Sequence, residues 1–386
     1  MTKQQYLIIS PVNQYGGVNL DVGFIAKTVS QNDTEVFVLS HGKYFDDCSL
    51  FDMIPVSSYT SVDKVLYENN TLIKLSLRLL GLLKPMPIPL HHRIKNLLTK
   101  SLSNVNKKRL EVLKQYVSEY DKIILCSQLT GQWNEEIIQI ASQLKKPIYF
   151  RITQQINPER ITEKQLFWLK EVSHFIHHSK QNLDILAEIL PTNKHTCIDQ
   201  CVMWEEDFLA ISPLKKSVSS FYSISRLEHT KRIDKMIEAF NGLKNEGLSL
   251  HIYGDGSLKS KLEKLSLDNP RIRFYGAIAL KDIVKVHGQH DCLMITSTIE
   301  GGPYTGVEAM AAGRLIISSR VGAMETRLPH YPFFYDGSVE DLRKKMLLLL
   351  NQEAVENQKL SNQLRQRYTE NYSEAAIGKS YLEILV

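Results

Sequence analysis

Short apolar runs alternate with amphipathic helical patterns along the whole chain, and that alternation limits the fold more than any other feature. Parallel strands are joined by long crossovers, usually helices, and are covered on both faces, so each reads as a short continuous apolar run. In the first half such runs fall at residues 6–9, 35–39, 122–125, 148–150 and 175–177, with 195–198 closing the series. Gly16 and Gly17 follow the first run and precede an amphipathic helix over 18–29. Residues 211–216 read as a linker, after which the pattern restarts. Strands are expected at 221–224, 248–253, 271–275, 292–295 and 315–317, with helices at 232–244, 258–265, 281–286, 307–312, 340–350, 355–368 and 373–384. The expected class is α/β, with parallel sheets in two domains, 1–212 and 213–370, and a terminal helical segment over 371–386. A length of 386 residues suits two domains of ordinary size.

The most specific stretch runs from Glu300 to Gly313. A strand enters it, a small-residue helix leaves it, and Gly301, Gly302, Pro303, Tyr304, Thr305 and Gly306 lie between Glu300 and Glu308. Glycines let backbone N–H groups come close to a ligand, and a helix N-terminus offers unpaired N–H groups to an anion. Glu308 is expected in the first helical turn, where the dipole alone would favour a carboxylate. Two carboxylates beside an anion-cradling turn suit a ligand with phosphates and vicinal hydroxyls. A nucleotide sugar has both. Ligands of open parallel sheets bind at the carboxyl ends of strands. Gly16 and Gly17 hold the equivalent place in the first half, and a cleft is expected between the two halves.

The stretch resembles the donor-site motif of retaining glycosyltransferase family 4, within the group 1 glycosyltransferases: a Glu, seven residues, a second Glu, then Ala-Met-Ala-x-Gly. Ser225-Arg226-Leu227 followed by Lys231 is similar to that family's second signature. Tyr253-Gly254-Asp255-Gly256 and Phe274-Tyr275-Gly276 match its next landmarks. The resemblance implies the GT-B fold, with two Rossmann-like parallel-sheet domains facing a central cleft and a C-terminal helix crossing back to the first. It implies transfer of a sugar from a UDP or GDP donor to a glycan, lipid-linked or protein acceptor, in bacterial surface polysaccharide or glycoconjugate assembly. By the same resemblance Arg226 and Lys231 bind the diphosphate, Glu300 the transferred sugar and Glu308 the ribose. Residues 302–305 supply backbone contacts to phosphate or sugar. Fixed cations there would stabilise charge building on the leaving phosphate. Two departures stand out. The loop reads Gly-Gly-Pro-Tyr-Thr, and Pro303 lacks an N–H donor. The family histidine after the 148–150 strand is replaced by Thr153 and Gln154, preceded by Arg151; His174, His177 and His178 lie on or after the next strand, with His177 expected in the core.

Other chemistries fit less well. No Asp-x-Asp pair occurs to hold a divalent cation against a diphosphate, so no metal and no cofactor beyond the donor are expected. Gly254-x-Gly256 lacks the third glycine of a dinucleotide fingerprint. A non-catalytic binding subunit and a nucleotide-sugar epimerase on the same fold stay open. The five cysteines are scattered, without zinc spacing, as in a reduced cytoplasmic protein.

The net charge of +5 is local in origin. Asn69 to Leu110 contain no Asp or Glu but include Lys74, Arg78, Lys84, Arg93, Lys95, Lys100, Lys107, Lys108 and Arg109. Residues 72–84 form an amphipathic pattern with Lys74, Arg78 and Gly81 on one stripe, and a second pattern runs through Ile94, Leu97, Leu98, Leu102 and Val105. Residues 70–110 thus either cover the first sheet or lie on an anionic membrane surface. The second reading makes a cytoplasmic protein peripheral to the membrane. Nucleic acid is not expected as a partner, because no aromatics interleave the basic residues.

Overall fold

The computed structural model describes residues 3–14, 16–83, 88–94, 104–266 and 269–386. The chain forms two compact units. The first contains Met1–His177, Asn182–Cys197 and Ser380–Val386; the second contains His178–Gln181 and Ile198–Lys379.

In the first unit β1 (Gln4–Ser10), β2 (Thr34–Ser40), β3 (Tyr59–Ser61), β4 (Lys122–Ser127), β5 (Ile148–Ile152), β6 (His174–His177) and β7 (Lys194–Cys197) form one sheet. Its order is β3-β2-β1-β4-β5-β6-β7, and the pairings are parallel. Tyr6 to Ile9 and Ile123 to Cys126 are fully buried, as strands covered on both faces must be. Helix Gly17–Ser30 follows β1 after Gly16, whose φ is +138°. Asp21 of this helix takes two hydrogen bonds from the buried Arg151 of β5, at 2.8 and 3.1 Å. Arg109, part of the basic run, is not on a surface: it is buried and paired with Asp63. A guanidinium there needs a partner, and Asp63 of the neighbouring helix Val62–Asn69 supplies it. Ser380–Val386 belongs to this unit, with Tyr381 buried near Phe24 and the Tyr6 hydroxyl donating to the Leu385 carbonyl at 2.5 Å.

Helix Thr71–Leu83 forms where the first amphipathic pattern lies. Most of the second pattern, with Lys84, Lys95 and Lys100, lies outside the described residues.

The second unit carries β8 (Ser220–Ile224), β9 (Ser249–Tyr253), β10 (Ile272–Gly276), β11 (Cys292–Ile295), β12 (Leu315–Ser319) and β13 (Phe334–Tyr335). The order is β10-β9-β8-β11-β12-β13, again parallel. Residues 198–212 pack in this unit. Glu205 accepts from the Tyr368 hydroxyl at 2.6 Å, and the Leu214 N–H donates to Ser361 at 2.9 Å, tying the segment to helix Ala354–Asn371. Strand order reverses between β8 and β11. At such a point the loops leaving adjacent strands diverge and open a crevice at the carboxyl edge.

Candidate functional site at the carboxyl edge of the second sheet

Arg226 and Lys231 leave the end of β8, and Glu300 leaves the end of β11, so the two sides of the switch point supply opposite charges. The Lys231 ammonium pairs with Glu300 Oε1, and the same oxygen accepts from the Ser297 hydroxyl at 2.8 Å. Both side chains of the ion pair are mostly buried. Among the described residues no donor is assigned to Glu300 Oε2, which leaves that oxygen for a ligand hydroxyl. The backbone holds the pair in place. Thr296 Oγ1 donates to the Lys231 carbonyl at 2.7 Å, and the Thr298 N–H donates to the Thr230 carbonyl at 2.8 Å. Arg232, next in the chain, is left-handed at φ 50°. Such a conformation costs a non-glycine residue about 1–2 kcal/mol, and Asp234 secures it by gripping the guanidinium at 2.8 and 3.0 Å.

Arg226 is exposed and 3.0 Å from Glu228. An exposed pair of this kind holds its members weakly, so Arg226 is easily redirected to an anion. Gly254 does not face open space. Its φ is +138°, and a Cβ there would strike the Ser225 carbonyl. It brings the β9 loop against the backbone that carries Arg226, with the Leu227 N–H donating to the Asp255 carbonyl at 2.9 Å.

The helix after the glycine turn runs Tyr304–Ala311, beginning three residues before the expected start because Pro303, at φ −60°, leads straight into it. No side chain caps it. Glu308 is consequently its fifth residue, and the first turn holds no acid. Helix-end electrostatics therefore do not explain Glu308, which is buried and faces a partner. His287 Nε2 lies 3.3 Å from Glu308 Oε2, and His287 Nδ1 lies 2.6 Å from the Tyr222 hydroxyl. Burial pushes the Tyr222 phenol well above its ordinary value, so it keeps its proton. The phenol donates to Nδ1, and Nε2–H is left to donate to the carboxylate. This relay fixes the orientation of Glu308 from behind.

Arg327 braces the turn itself. Fully buried, it donates to Asp199 at 2.6 and 2.9 Å, to Gln200 Oε1 at 3.0 Å and to the Pro303 carbonyl at 2.5 Å. Gly302 lies against the same Arg327 and Gln200 side chains. Gly301 and Glu300 pack against Gly322, which has φ +54° and whose Cβ would come within 2.6 Å of the Gly301 carbonyl oxygen. Tyr304 and Thr305 open the helix.

Lys231 and Glu300 thus touch, and Gly301 to Thr305 and Glu308 continue the same strand–turn–helix. Gly16 and Gly17 belong to the first unit, at the end of β1 beside the reversal between β1 and β4. His177 is fully buried, as its alternation on β6 predicts, and sits 3.1 Å from His195. Sequence reasoning did not name Ser297, Tyr222, His287, Asp199 or Arg327. Only Ser297, three residues before Glu300, carries a local signal.

Residues 205–371 match the family model described as glycosyl transferases group 1. Over 177 residues the chain is 26% identical to poly(ribitol-phosphate) alpha-N-acetylglucosaminyltransferase of Staphylococcus aureus (strain COL); the match spans 42% of this chain and 34% of that relative's length. Among solved structures, HepE of Anabaena in complex with UDP and glucose superposes with a TM-score of 0.68 at 15% identity, covering 99% of both chains. A mutant TarM of S. aureus bound to fondaparinux, alpha-GlcNAc-glycerol and UDP gives 0.71 at 15% identity, again over 99% of both chains. The pneumococcal O-GlcNAc transferase GtfA in complex with UDP and GlcNAc gives 0.71 at 11% identity, over 99% of this chain and 98% of that one. With parallel sheets of seven and six strands in its two α/β units, the chain has the GT-B fold.

Proposed function

We propose that this chain is a retaining, metal-independent glycosyltransferase. It moves a sugar from a nucleoside-diphosphate donor, UDP-linked by analogy with the neighbours solved with UDP, to a glycan, glycolipid or protein acceptor in bacterial surface polysaccharide or glycoconjugate assembly. The observation that carries this reading is the Lys231–Glu300 pair at the β8/β11 reversal, followed on the same turn by an uncapped helix start and the oriented Glu308. The helix start and the cations suit a diphosphate, Glu308 the ribose hydroxyls, and Glu300 the transferred sugar. In the reaction the bond from the sugar C1 to the phosphate oxygen breaks, and its electron pair leaves with the nucleoside diphosphate. Arg226 and Lys231 stabilise that charge, where one well-placed donor is worth about 10²–10³ in rate. The acceptor oxygen bonds to C1 on the face the phosphate leaves, and its proton passes to the departing phosphate.

Thermal-shift measurements with UDP, GDP and their sugars identify the donor, because a ligand of the folded state raises its stability by mass action. Glu300→Ala is expected to lower transfer at least 100-fold while the nucleotide still binds. Transfer by that variant within a few-fold of the parent would sink the assignment. A second reading, a non-catalytic GT-B subunit that binds acceptor or donor for a partner enzyme, draws on one observation: where the family histidine is expected stand Thr153 and Gln154, and the adjacent Arg151 is buried in an ion pair with Asp21. Donor hydrolysis or transfer by the purified chain alone separates the two readings.

A further inference from the structure

We infer that helix Thr71–Leu83 is a docking face for an anionic lipid bilayer, lying in its interface with one row of leucines inserted. This inference stands apart from the reaction proposed above. The helix belongs to the first unit and has two unlike apolar sides. Ile73 and Leu77 are fully buried in the unit's core. Leu72, Leu75, Leu79, Leu82 and Leu83 are 61, 55, 51, 82 and 69% exposed. At 3.6 residues per turn the five exposed leucines fall within an arc of about 100°, opposite the buried pair. The helix therefore sets one side into the core of its unit and, among the described residues, leaves the other without a partner. Scattered exposed leucines need no explanation, but a row of five on one helix face does.

The charges beside that row choose the occupant. Lys74 and Arg78 border one edge of the leucine arc, and among the described residues neither has an ion-pair partner. No Asp or Glu occurs from Asn69 to Leu110, so no acid of that stretch offsets the two cations. A second copy of the chain would set like charges against like across the joint. A bilayer with anionic headgroups offers hydrocarbon to the leucines and negative charge to Lys74 and Arg78. Among the described residues no helix is long and apolar enough to cross a membrane, so this contact lies on the surface of the bilayer.

Co-sedimentation of the full chain with vesicles tests this. Binding is expected to phosphatidylglycerol–phosphatidylcholine vesicles (1:1), and to be at least tenfold weaker to pure phosphatidylcholine. Leu79→Glu with Leu82→Glu, both at exposed positions, should lower the affinity for the mixed vesicles at least tenfold with thermal melting unchanged. Lys74→Gln with Arg78→Gln should lower it about thirtyfold and flatten its salt dependence. Three results overturn the inference. The parent fails to sediment with the mixed vesicles; or the double glutamate variant binds like the parent; or sedimentation velocity shows a parent dimer that this variant dissolves, with no vesicle binding, which assigns the face to a second copy.

Discussion

Replacing Arg327 by Met tests whether the glycine turn at Pro303 is held by a buried ion pair. Met keeps much of the side chain's length and removes its charge and its donors. The change removes from the Asp199 carboxylate its two bonds from Arg327, at 2.6 and 2.9 Å, in a site where Arg327 is 0% and Asp199 8% exposed. Breaking one side of a buried pair costs about 3–5 kcal/mol. Asp199 also accepts from the Gln200 N–H at 2.8 Å, which places the cost toward the lower end. For a unit of 150–250 residues each kcal/mol moves Tm by about 2–4 °C, so a cost of about 3 kcal/mol lowers it by about 6 to 12 °C. Differential scanning calorimetry reads it. Adding Asp199→Leu should restore most of the loss, because removing both charges is close to neutral where removing one is not. The single variant also releases the Pro303 carbonyl, so amide hydrogen exchange at Tyr304 to Gly306 should quicken well below Tm. A single variant within about 2 °C of the parent, with no recovery in the double, would refute the clamp.

Two further outcomes follow from the buried histidines. His287→Phe removes the Nε2–H that orients Glu308 and is expected to raise the donor KM about tenfold, with kcat changed far less; an unchanged KM would mean that the relay is packing alone. Acid should destabilise the fold. Burial, followed by the neighbouring His195 and Arg151, lowers His177 from 6.5 to about 3, and burial, followed by His251, lowers His290 to about 4. Between about 6.5 and these values the unfolded chain binds more protons than the native one, so stability is complete above 6.5 and drains away as pH falls. Asp234 and Asp291, held below 3.8 despite burial by hydrogen bonds and nearby cations, add their loss only below that pH. Tm measured from pH 7.5 to 4.5 should decline, and His177→Gln should decline less; equal slopes would count against the histidine.

The sheet was legible where strands are covered on both faces. Tyr6 to Ile9 and Cys292 to Ile295 leave no polar residue to confuse the pattern, and both lie in strands. β3 and β13 escaped because three and two residues carry no periodicity. The basic run was visible in composition, yet composition could not tell that Arg109 turns inward to Asp63 while Arg78 stays outside. The leucine-rich pattern at 72–83 announced a helix with one charged stripe. It could not say that the apolar remainder divides into a buried half and an exposed one. Glu308 was singled out for its spacing from Glu300, but the residues behind it were not. Its partners are His287, 21 residues away, and Tyr222, 65 residues from His287; Asp199 and Arg327 are 128 apart. Contacts at such separations leave no local trace.

Those distant contacts give the site its order. The motif from Glu300 to Glu308 provides two carboxylates and a helix start, but nothing within it fixes their directions. The loop after β8 brings Lys231 to Glu300 and is laced to the loop after β11 through Thr296 and Thr298. The end of β12 adds Ser319, whose hydroxyl donates to the Ser297 carbonyl at 2.6 Å, and leads to Gly322, over which the Glu300–Gly301 backbone closes. Helix Ile283–Gln289 supplies His287 behind Glu308, and Arg327 holds the turn at Pro303. Glu300, Glu308 and the turn at Pro303 are thus each held by an element other than their own, through an ion pair, an imidazole and a buried guanidinium, with hydroxyl-to-carbonyl bonds tying the loops together. Such cross-links set the side chains in advance, the condition under which fixed charges would stabilise a leaving phosphate in the proposed transfer. Among the residues proposed for the site, Arg226 is exposed and weakly held by Glu228, so it is the one with freedom to turn toward an anion.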